Sequence, residues 1–296
     1  MLCSDDQCNF VILIGKFEVF IMIYDYYSPA GGLPSQKESL QDSAIFTNAY
    51  VYVPKRVLTD IVTSFLPNWK KTRLWVLARP MTGFAETFSH YLMDVSPGGG
   101  SNLPDDDEFA EHVIFVTNGA GKIRINDDSH SLSSGSYIYL PPKTDWSIIN
   151  ESSNKLVFHW FRKRYQKVRG VDAPKILVTS DSAVEPTEMP GSDGNWLTSR
   201  FVRVDDIAHD MHVNIVTFRP GGTIPFAETH VMEHGIYVLC GTASYRFNSD
   251  IIDVEAGDYA WLRAFCPQCC TATGDGLFRY LLYKDVNRHM NLQLFK

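Results

Sequence analysis

The hydrophobic residues of this chain fall in short runs, and little of the sequence has the periodicity of an amphipathic helix. The runs are rich in Val, Ile, Tyr and Phe, and Gly, Pro, Asn and Asp separate them. This pattern predicts a protein that consists mostly of β-strands.

The runs also recur at a fixed distance along the chain. Two pairs of segments show the recurrence: Glu111–Val116 with Glu233–Val238, and Gly135–Leu140 with Gly257–Leu262. Both pairs are offset by 122 positions, and a third pair, Ser96–Gly99 with Arg219–Gly222, is offset by 123. The shared offset indicates that the chain is a tandem duplication of one β unit.

A segment between the two copies has the composition of a linker. Residues 171–196 contain three prolines and two glycines with little periodicity. We therefore predict an N-terminal segment at 1–44, a first β unit at 45–170, a linker at 171–200 and a second β unit at 201–296.

Composition narrows the class of protein. The hydrophobic fraction of 45% can fill two cores. The 34 acidic and 27 basic residues give a net charge of -7, and the absence of a basic block argues against nucleic acid as a partner. Four of the six cysteines lie within residues 240–270, which suggests reduced thiols in an intracellular protein rather than paired crosslinks.

The apolar stretch from Phe10 to Tyr24 is a weak candidate for a targeting segment. Lys16 and Glu18 interrupt it, and no basic cluster precedes it. We therefore expect neither a signal peptide nor a membrane span, and we expect a cytoplasmic protein without a membrane partner. The stretch could instead be a strand, or Met22 could begin a shorter chain.

The second β unit contains residues with the spacing of two known motifs. Gly222-x5-Glu228-x-His230-x3-His234-x6-Gly241 has the spacing of the first cupin motif, usually Gly-x5-His-x-His-x3-Glu-x6-Gly. The second cupin motif is met in spacing by Gly257, Arg263, Phe265, Gln268 and Ala272. The sequence therefore predicts an all-β fold of two tandem cupin barrels, each a double-stranded β-helix or jelly roll.

The spacing predicts a metal site inside the second barrel. Residues two apart on a strand share a face, so Glu228 and His230 would both point inward, with His234 of the same parity. Gln268, from a later strand, would close the set. Such mixed oxygen and nitrogen ligands suit Mn²⁺ or Fe²⁺ better than Zn²⁺. One carboxylate on a divalent cation leaves a net positive charge, which favours an anionic substrate.

The duplicated half provides an internal comparison. The 122-residue offset places Asp106, Glu108, His112 and Trp146 at the positions of the four predicted ligands. Trp146 cannot coordinate a metal, so we expect the first barrel to be metal-free and structural. Two weaker candidates have simpler explanations, namely buried thiols at Cys266–Cys270 and a solvated loop at Asp105–Glu108.

Three segments carry a resemblance to a known family. Glu228–Gly235 (ETHVMEHG), Gly257–Tyr259 and Tyr283–Arg288 (YKDVNR) resemble the (S)-ureidoglycine aminohydrolases, which have also been labelled glyoxylate-induced proteins of the allantoin pathway. The resemblance extends from about Phe46 onward and is strongest after Met211. Gly241-Thr242-Ala243 departs from the family's usual Gly-x-Gly.

The resemblance implies a bicupin that binds manganese through Glu228, His230, His234 and Gln268. It implies a metal-dependent aminohydrolase that releases ammonia from (S)-ureidoglycine to give (S)-ureidoglycolate, a late step in purine catabolism. It also implies that Tyr280 and Lys284 contact the substrate, together with Glu228 and Gln268.

The residues themselves support part of this assignment. Tyr280 and Lys284 alternate with Leu282 on one face of a predicted strand. We expect Lys284 to pair with the substrate carboxylate, Glu228 to transfer a proton, and Tyr245 to line the pocket.

Other functions stay open at this point. A cupin dioxygenase or isomerase acting on another small anion would use the same fold. A non-catalytic bicupin that binds a small acid would do so as well. Cupin barrels commonly associate through sheet edges, so we also expect a homo-oligomer.

Overall fold

The computed structural model describes residues 12–14, 17–19, 26–27, 44–58, 66–80 and 83–286. In this part of the chain strands dominate, and short 3-10 turns lie at Lys55–Val57 and Asp181–Ala183. The all-β prediction is confirmed. Near the N-terminus, β1 (Ile12–Ile14) and β2 (Phe17–Val19) pair as an antiparallel hairpin. Met22, Asn287 and Arg288 lie outside the described residues.

The first barrel is built from one large sheet, in the order β13-β10-β7-β12-β6-β11-β8-β9, with β5 paired to β6. Its strands are β5 (Trp69–Ala78), β6 (Phe88–Ser101), β7 (Ala110–Asn118), β8 (Ala120–Ile125), β9 (Asp128–Ser133), β10 (Ser136–Leu140), β11 (Trp146–Ile149), β12 (Leu156–Arg164) and β13 (Leu177–Ser180).

The second barrel combines an eight-stranded sheet, β14-β15-β16-β22-β17-β20-β4-β3, with a three-stranded sheet, β19-β18-β21. Its strands are β3 (Ile45–Phe46), β4 (Tyr50–Val53), β14 (Thr187–Glu188), β15 (Trp196–Arg200), β16 (Met211–Phe218), β17 (His234–Cys240), β18 (Thr242–Phe247), β19 (Asp250–Glu255), β20 (Tyr259–Leu262), β21 (Gln268–Ala272) and β22 (Phe278–Asp285).

The two barrels exchange strands. Strand β4 precedes the first barrel in sequence but pairs antiparallel with β20 of the second, with Tyr50 opposite Leu262. Strand β13 lies in the predicted linker and pairs antiparallel with β10 of the first barrel, with Leu177 opposite Tyr139. The predicted boundaries therefore separate each of these two strands from the barrel in which it pairs.

Alternating side chains fill three apolar layers. On β16, Val216 and Phe218 point into the second barrel, whereas Val213 and Ile215 point into the layer between the barrels. A third cluster, which includes Phe158, fills the first barrel. Burying one such side chain fully stabilises the folded state by about 1.5–3 kcal/mol. The apolar layer between the barrels therefore holds the two barrels together.

The layer between the barrels also contains buried polar contacts. Arg279 on β22 donates to Asp181, which follows β13, at 2.7 Å, and the Tyr26 hydroxyl donates to the same carboxylate oxygen at 2.8 Å. Nearby, His90 and His159 form a ring-to-ring hydrogen bond of 2.9 Å and are fully buried. These contacts join segments from both barrels and from the N-terminal segment.

Two expectations from the sequence concern the cysteines and possible membrane spans. The four cysteines that the structure describes, Cys240, Cys266, Cys269 and Cys270, are free thiols. Across the described ranges, the structure contains no helix long and apolar enough to cross a membrane.

Candidate metal centre and substrate pocket

The loop between β16 and β17 runs along β21 and places Glu228 beside Gln268. The two residues exchange both backbone hydrogen bonds, each 2.9 Å long, as a short antiparallel bridge. Farther along the loop, the carbonyl of His230 accepts the backbone N–H of Phe265 at 2.6 Å. Backbone hydrogen bonds therefore hold the loop in place independently of its side-chain contacts.

The structure brings the four predicted ligands together. The Nε2 of His230 lies 3.3 Å from a carboxylate oxygen of Glu228. The side-chain nitrogen of Gln268 lies 3.4 Å from the other Glu228 oxygen and 3.0 Å from Nδ1 of His234. The rings of His230 and His234 are 4.9 Å apart. The cluster therefore has the donor set that the sequence predicts.

The donors suit a metal ion, although their present arrangement is not a coordination shell. Within the described residues, no group of three or more His, Cys, Asp or Glu side chains is placed so that it could hold a metal ion. However, Nε2 of His234 is buried and has no hydrogen-bond partner there. A ligating histidine typically has one ring nitrogen free for the metal and the other hydrogen-bonded, as Nδ1 of His234 is here.

Below the ligands, the interior of the second barrel is organised in levels. Lys284 on β22 lies opposite His212 of β16 on one side and His234 of β17 on the other. One level deeper, Leu282 lies opposite Asn214 in the same way. The next level contains Tyr280, whose ring is 6.1 Å from that of Tyr245.

The other predicted pocket residues point into this interior. The hydroxyl of Tyr245 donates to the carbonyl oxygen of Gln268 at 2.9 Å. Burial raises the pKa of both Tyr245 and Tyr280, so both hydroxyls stay protonated. Tyr245 therefore orients a predicted ligand rather than only lining the pocket.

The charges in the pocket influence one another. Burial, and then the charge of Arg200, lower the pKa of Lys284, whereas Glu228 and Asp285 oppose the shift. Burial lowers the pKa of His234 to about 3, and the charges of His230 and Lys284 act in the same direction. His234 is therefore a neutral imidazole, the form that binds metals.

Glu233, beside His234, anchors the ligand loop to the first barrel. Its carboxylate accepts the backbone N–H groups of Glu86 at 2.8 Å and Thr87 at 2.7 Å. It also accepts the indole N–H of Trp261 at 2.8 Å. Sequence reasoning missed this role, although the repeated Glu-His pair at Glu111 and Glu233 was a signal for it.

The corresponding positions of the first barrel are arranged differently. Asp106 and Glu108 are exposed. His112 accepts the indole N–H of Trp160 at 3.3 Å and packs 5.4 Å from the ring of Trp146. Aromatic rings thus occupy the interior at the positions that correspond to the predicted ligands of the second barrel.

The run of acidic residues in this region is not wholly solvated, in contrast to the expectation from sequence. The side chain of Asp105 is only 6% exposed and forms an ion pair with Arg162. The pairing explains the burial because an unpaired carboxylate would be costly there.

Sequence reasoning also missed His212 and Asn214, which point into the pocket from β16. The signal was present in the segment MHVNIVTF, because two polar residues alternate with Val213 and Ile215 on a strand that is otherwise apolar.

Comparison with known proteins identifies the family of this chain. No protein-family profile matches the chain. An (S)-ureidoglycine aminohydrolase from Arabidopsis thaliana is 33% identical over 253 residues, which cover 84% of this chain and 82% of that protein. The (S)-ureidoglycine aminohydrolase of Escherichia coli is 28% identical over 78% of this chain and 87% of its own length.

Solved structures agree in fold. A protein from Pseudomonas aeruginosa described as glyoxylate induced is 53% identical with a TM-score of 0.86, over 92% of this chain and 100% of its own. A cupin 2 conserved barrel domain protein from Leptotrichia buccalis has a TM-score of 0.53 at 15% identity, over 76% of this chain and 92% of that one. The fold consists of two cupin barrels, as predicted, and the chain belongs to the (S)-ureidoglycine aminohydrolase family.

Proposed function

We propose that the chain is a manganese-dependent hydrolase that converts (S)-ureidoglycine and water into (S)-ureidoglycolate and ammonia. One observation carries the proposal beyond family membership. Glu228, His230, His234 and Gln268 converge on one side of the barrel interior, and Lys284 lies beside His234 in the register of the sheet. Candidate ligands for a cation thus lie beside a half-buried ammonium that suits a carboxylate.

The four clustered residues would hold the divalent cation, which supplies Lewis acidity and a fixed positive charge for an anionic substrate. Their oxygen and nitrogen donors favour Mn²⁺, with Fe²⁺ as the alternative. Tyr245 would keep Gln268 in orientation through its 2.9 Å hydrogen bond.

In the reaction, the C–N bond to the amine breaks and a C–O bond to water forms at the carbon that carries both nitrogens. Lys284 would bind the carboxylate of the substrate, because it is half-buried and lies beside His234 in the register of the sheet. Glu228 would pass the proton lost by water to the amine, which leaves as ammonia. Tyr280 would contact the substrate from two levels below Lys284.

Ammonia release tests the activity. Protein loaded with manganese is mixed with ureidoglycine that an allantoate amidohydrolase forms in place from allantoate, and ammonia and the chirality of the product are followed. We expect one further equivalent of ammonia per ureidoglycine and an excess of the (S) product. Release at the spontaneous rate, with metal bound, would reject the hydrolase and leave another cupin enzyme or a binding protein.

Metal content tests the location of the site separately. Removal of one ligand in His230→Ala should abolish stoichiometric manganese in the purified protein. Asp106→Ala, which alters the corresponding region of the first barrel, should retain it. Equal manganese in both variants would place the metal elsewhere.

A further inference from the structure

Two side-chain polar atoms on the inward face of β16 are buried and lack partners in the described part of the chain. The Nε2 of His212 and the Oδ1 of Asn214 have no hydrogen-bond partner among the described residues. The exposed fractions of the two residues are only 4% and 2%. Buried polar groups are almost always hydrogen-bonded in folded proteins, so two such atoms in one pocket point to a ligand.

The register of the sheet places both atoms beside the site. His212 lies opposite Lys284, which lies opposite His234, so the three form one row across neighbouring strands. Strands are about 4.8 Å apart, so the ends of this row are separated by about 10 Å, the length of a small substrate. Asn214 lies one level deeper on the same face.

The chemistry of the two groups matches a neutral amide rather than an anion. The side-chain oxygen of Asn214 can only accept a hydrogen bond. Burial lowers the pKa of His212 to about 4, helped by the charge of Lys284, so its ring is neutral and carries one N–H donor. An acceptor and a donor side by side complement the amino group and the carbonyl of a ureido group.

We propose that Asn214 and His212 bind the ureido group of the substrate, with Asn214 Oδ1 accepting from its terminal NH₂ and His212 Nε2 donating to its carbonyl oxygen. The proposal rests on the proposed function for the identity of the substrate. It makes these two residues the ones that distinguish a ureido acid from other small acids, while Lys284 binds the carboxylate that all of them share.

Two analogues that cannot react separate these roles. N-carbamoylglycine contains the ureido group and the carboxylate, and N-acetylglycine has a methyl group in place of the terminal NH₂. Their affinities for the manganese-loaded protein can be measured by calorimetry. We expect the wild-type protein to prefer N-carbamoylglycine by about tenfold or more, because N-acetylglycine leaves the Asn214 oxygen unpaired.

The variants assign the preference to residues. Asn214→Leu should weaken binding of N-carbamoylglycine to the level of N-acetylglycine, and His212→Phe should weaken binding of both analogues. Ile215→Leu, on the same strand but facing away from the pocket, is the matched control and should leave both affinities unchanged. A preference that persists in Asn214→Leu, or its absence from the wild type, would overturn the proposal.

Thermal stability distinguishes a binding role from a structural one. Since Asn214 Oδ1 has no partner in the part of the chain that the structure describes, Asn214→Leu should melt at or above the wild-type temperature without ligand. A much lower melting temperature, with both affinities lost, would show a structural role and contradict the inference. Failure of ammonia release with the ureido preference intact would reject the proposed reaction but retain this binding assignment.

Discussion

The buried ion pair between Arg279 and Asp181 offers a direct test of how the two barrels are joined. The exposed fractions of its side chains are 1% and 2%, and its N–O distance is 2.7 Å. Asp181→Asn keeps the shape of the side chain but removes the negative charge that lies 2.7 Å from the buried guanidinium of Arg279. Loss of one partner of such a pair costs about 3–5 kcal/mol of the free energy of unfolding.

An exposed pair of the same length provides the control. Arg203 and Asp205 are also 2.7 Å apart, but their side chains are 81% and 65% exposed. Solvent screens this pair, so Asp205→Asn should leave stability unchanged within the error of the measurement. Urea unfolding at 25 °C, followed by tryptophan fluorescence, compares the two variants with the wild type.

A double variant separates the loss of the pair from other effects. Asp181→Leu combined with Arg279→Met replaces both charges with apolar side chains and should recover most of the stability that Asp181→Asn loses. If Asp181→Asn is as stable as Asp205→Asn, burial does not make this pair important and the reasoning is wrong.

Two further predictions concern the layer between the barrels. Burial lowers the pKa of His159 to about 3, so the unfolded chain takes up a proton that the folded chain does not, and stability falls as the pH drops below about 6.5. His159 accounts for about 2 kcal/mol of the loss at pH 5, so His159→Phe should reduce the pH dependence by that amount in urea unfolding at pH 7 and pH 5, while the buried His112, His212 and His234 keep their own contributions; an unchanged pH dependence would contradict this. Gly257 has a φ of +98°, and a Cβ there would lie 2.3 Å from Cε1 of Tyr27, whereas Gly221, with a φ of +73°, has open space. Gly257→Ala should therefore lower the melting temperature more than Gly221→Ala, and equal losses would show that the Tyr27 contact is unimportant.

The sequence predicted that Glu228, His230 and His234 lie close together because their spacing along the chain is short. Glu228 and His230 are two residues apart in the loop before β17, not on a strand as expected from the sequence, and His234 begins β17. The short spacing along the chain was enough to bring the three side chains close together. Gln268 needed the second motif, and the structure places it beside the other three. The duplication supplied the comparison with Trp146 without any knowledge of the fold.

The features that escaped prediction depend on contacts between distant segments. The anchoring of Glu233 by Glu86 and Thr87 joins positions 147 and 146 residues apart. The pairing of β4 with β20 could not be inferred either, because a strand pattern indicates which face is buried but not which strand lies beside it. Likewise, a binding role for Asn214 could be inferred only from the structure, which places Asn214 one level below Lys284 on the same inward face.

The exchange of β4 and β13 limits how this protein could be divided by experiment or by evolution. A gene fragment that ends at the linker would encode a first barrel without β13, and the complementary fragment would encode a second barrel without β4. Each product would expose an unpaired strand edge, which favours aggregation over folding. Although the second barrel contains the predicted chemistry, it therefore depends on the first copy of the duplication, and an ancestral single unit would have needed a second chain to supply the missing strand.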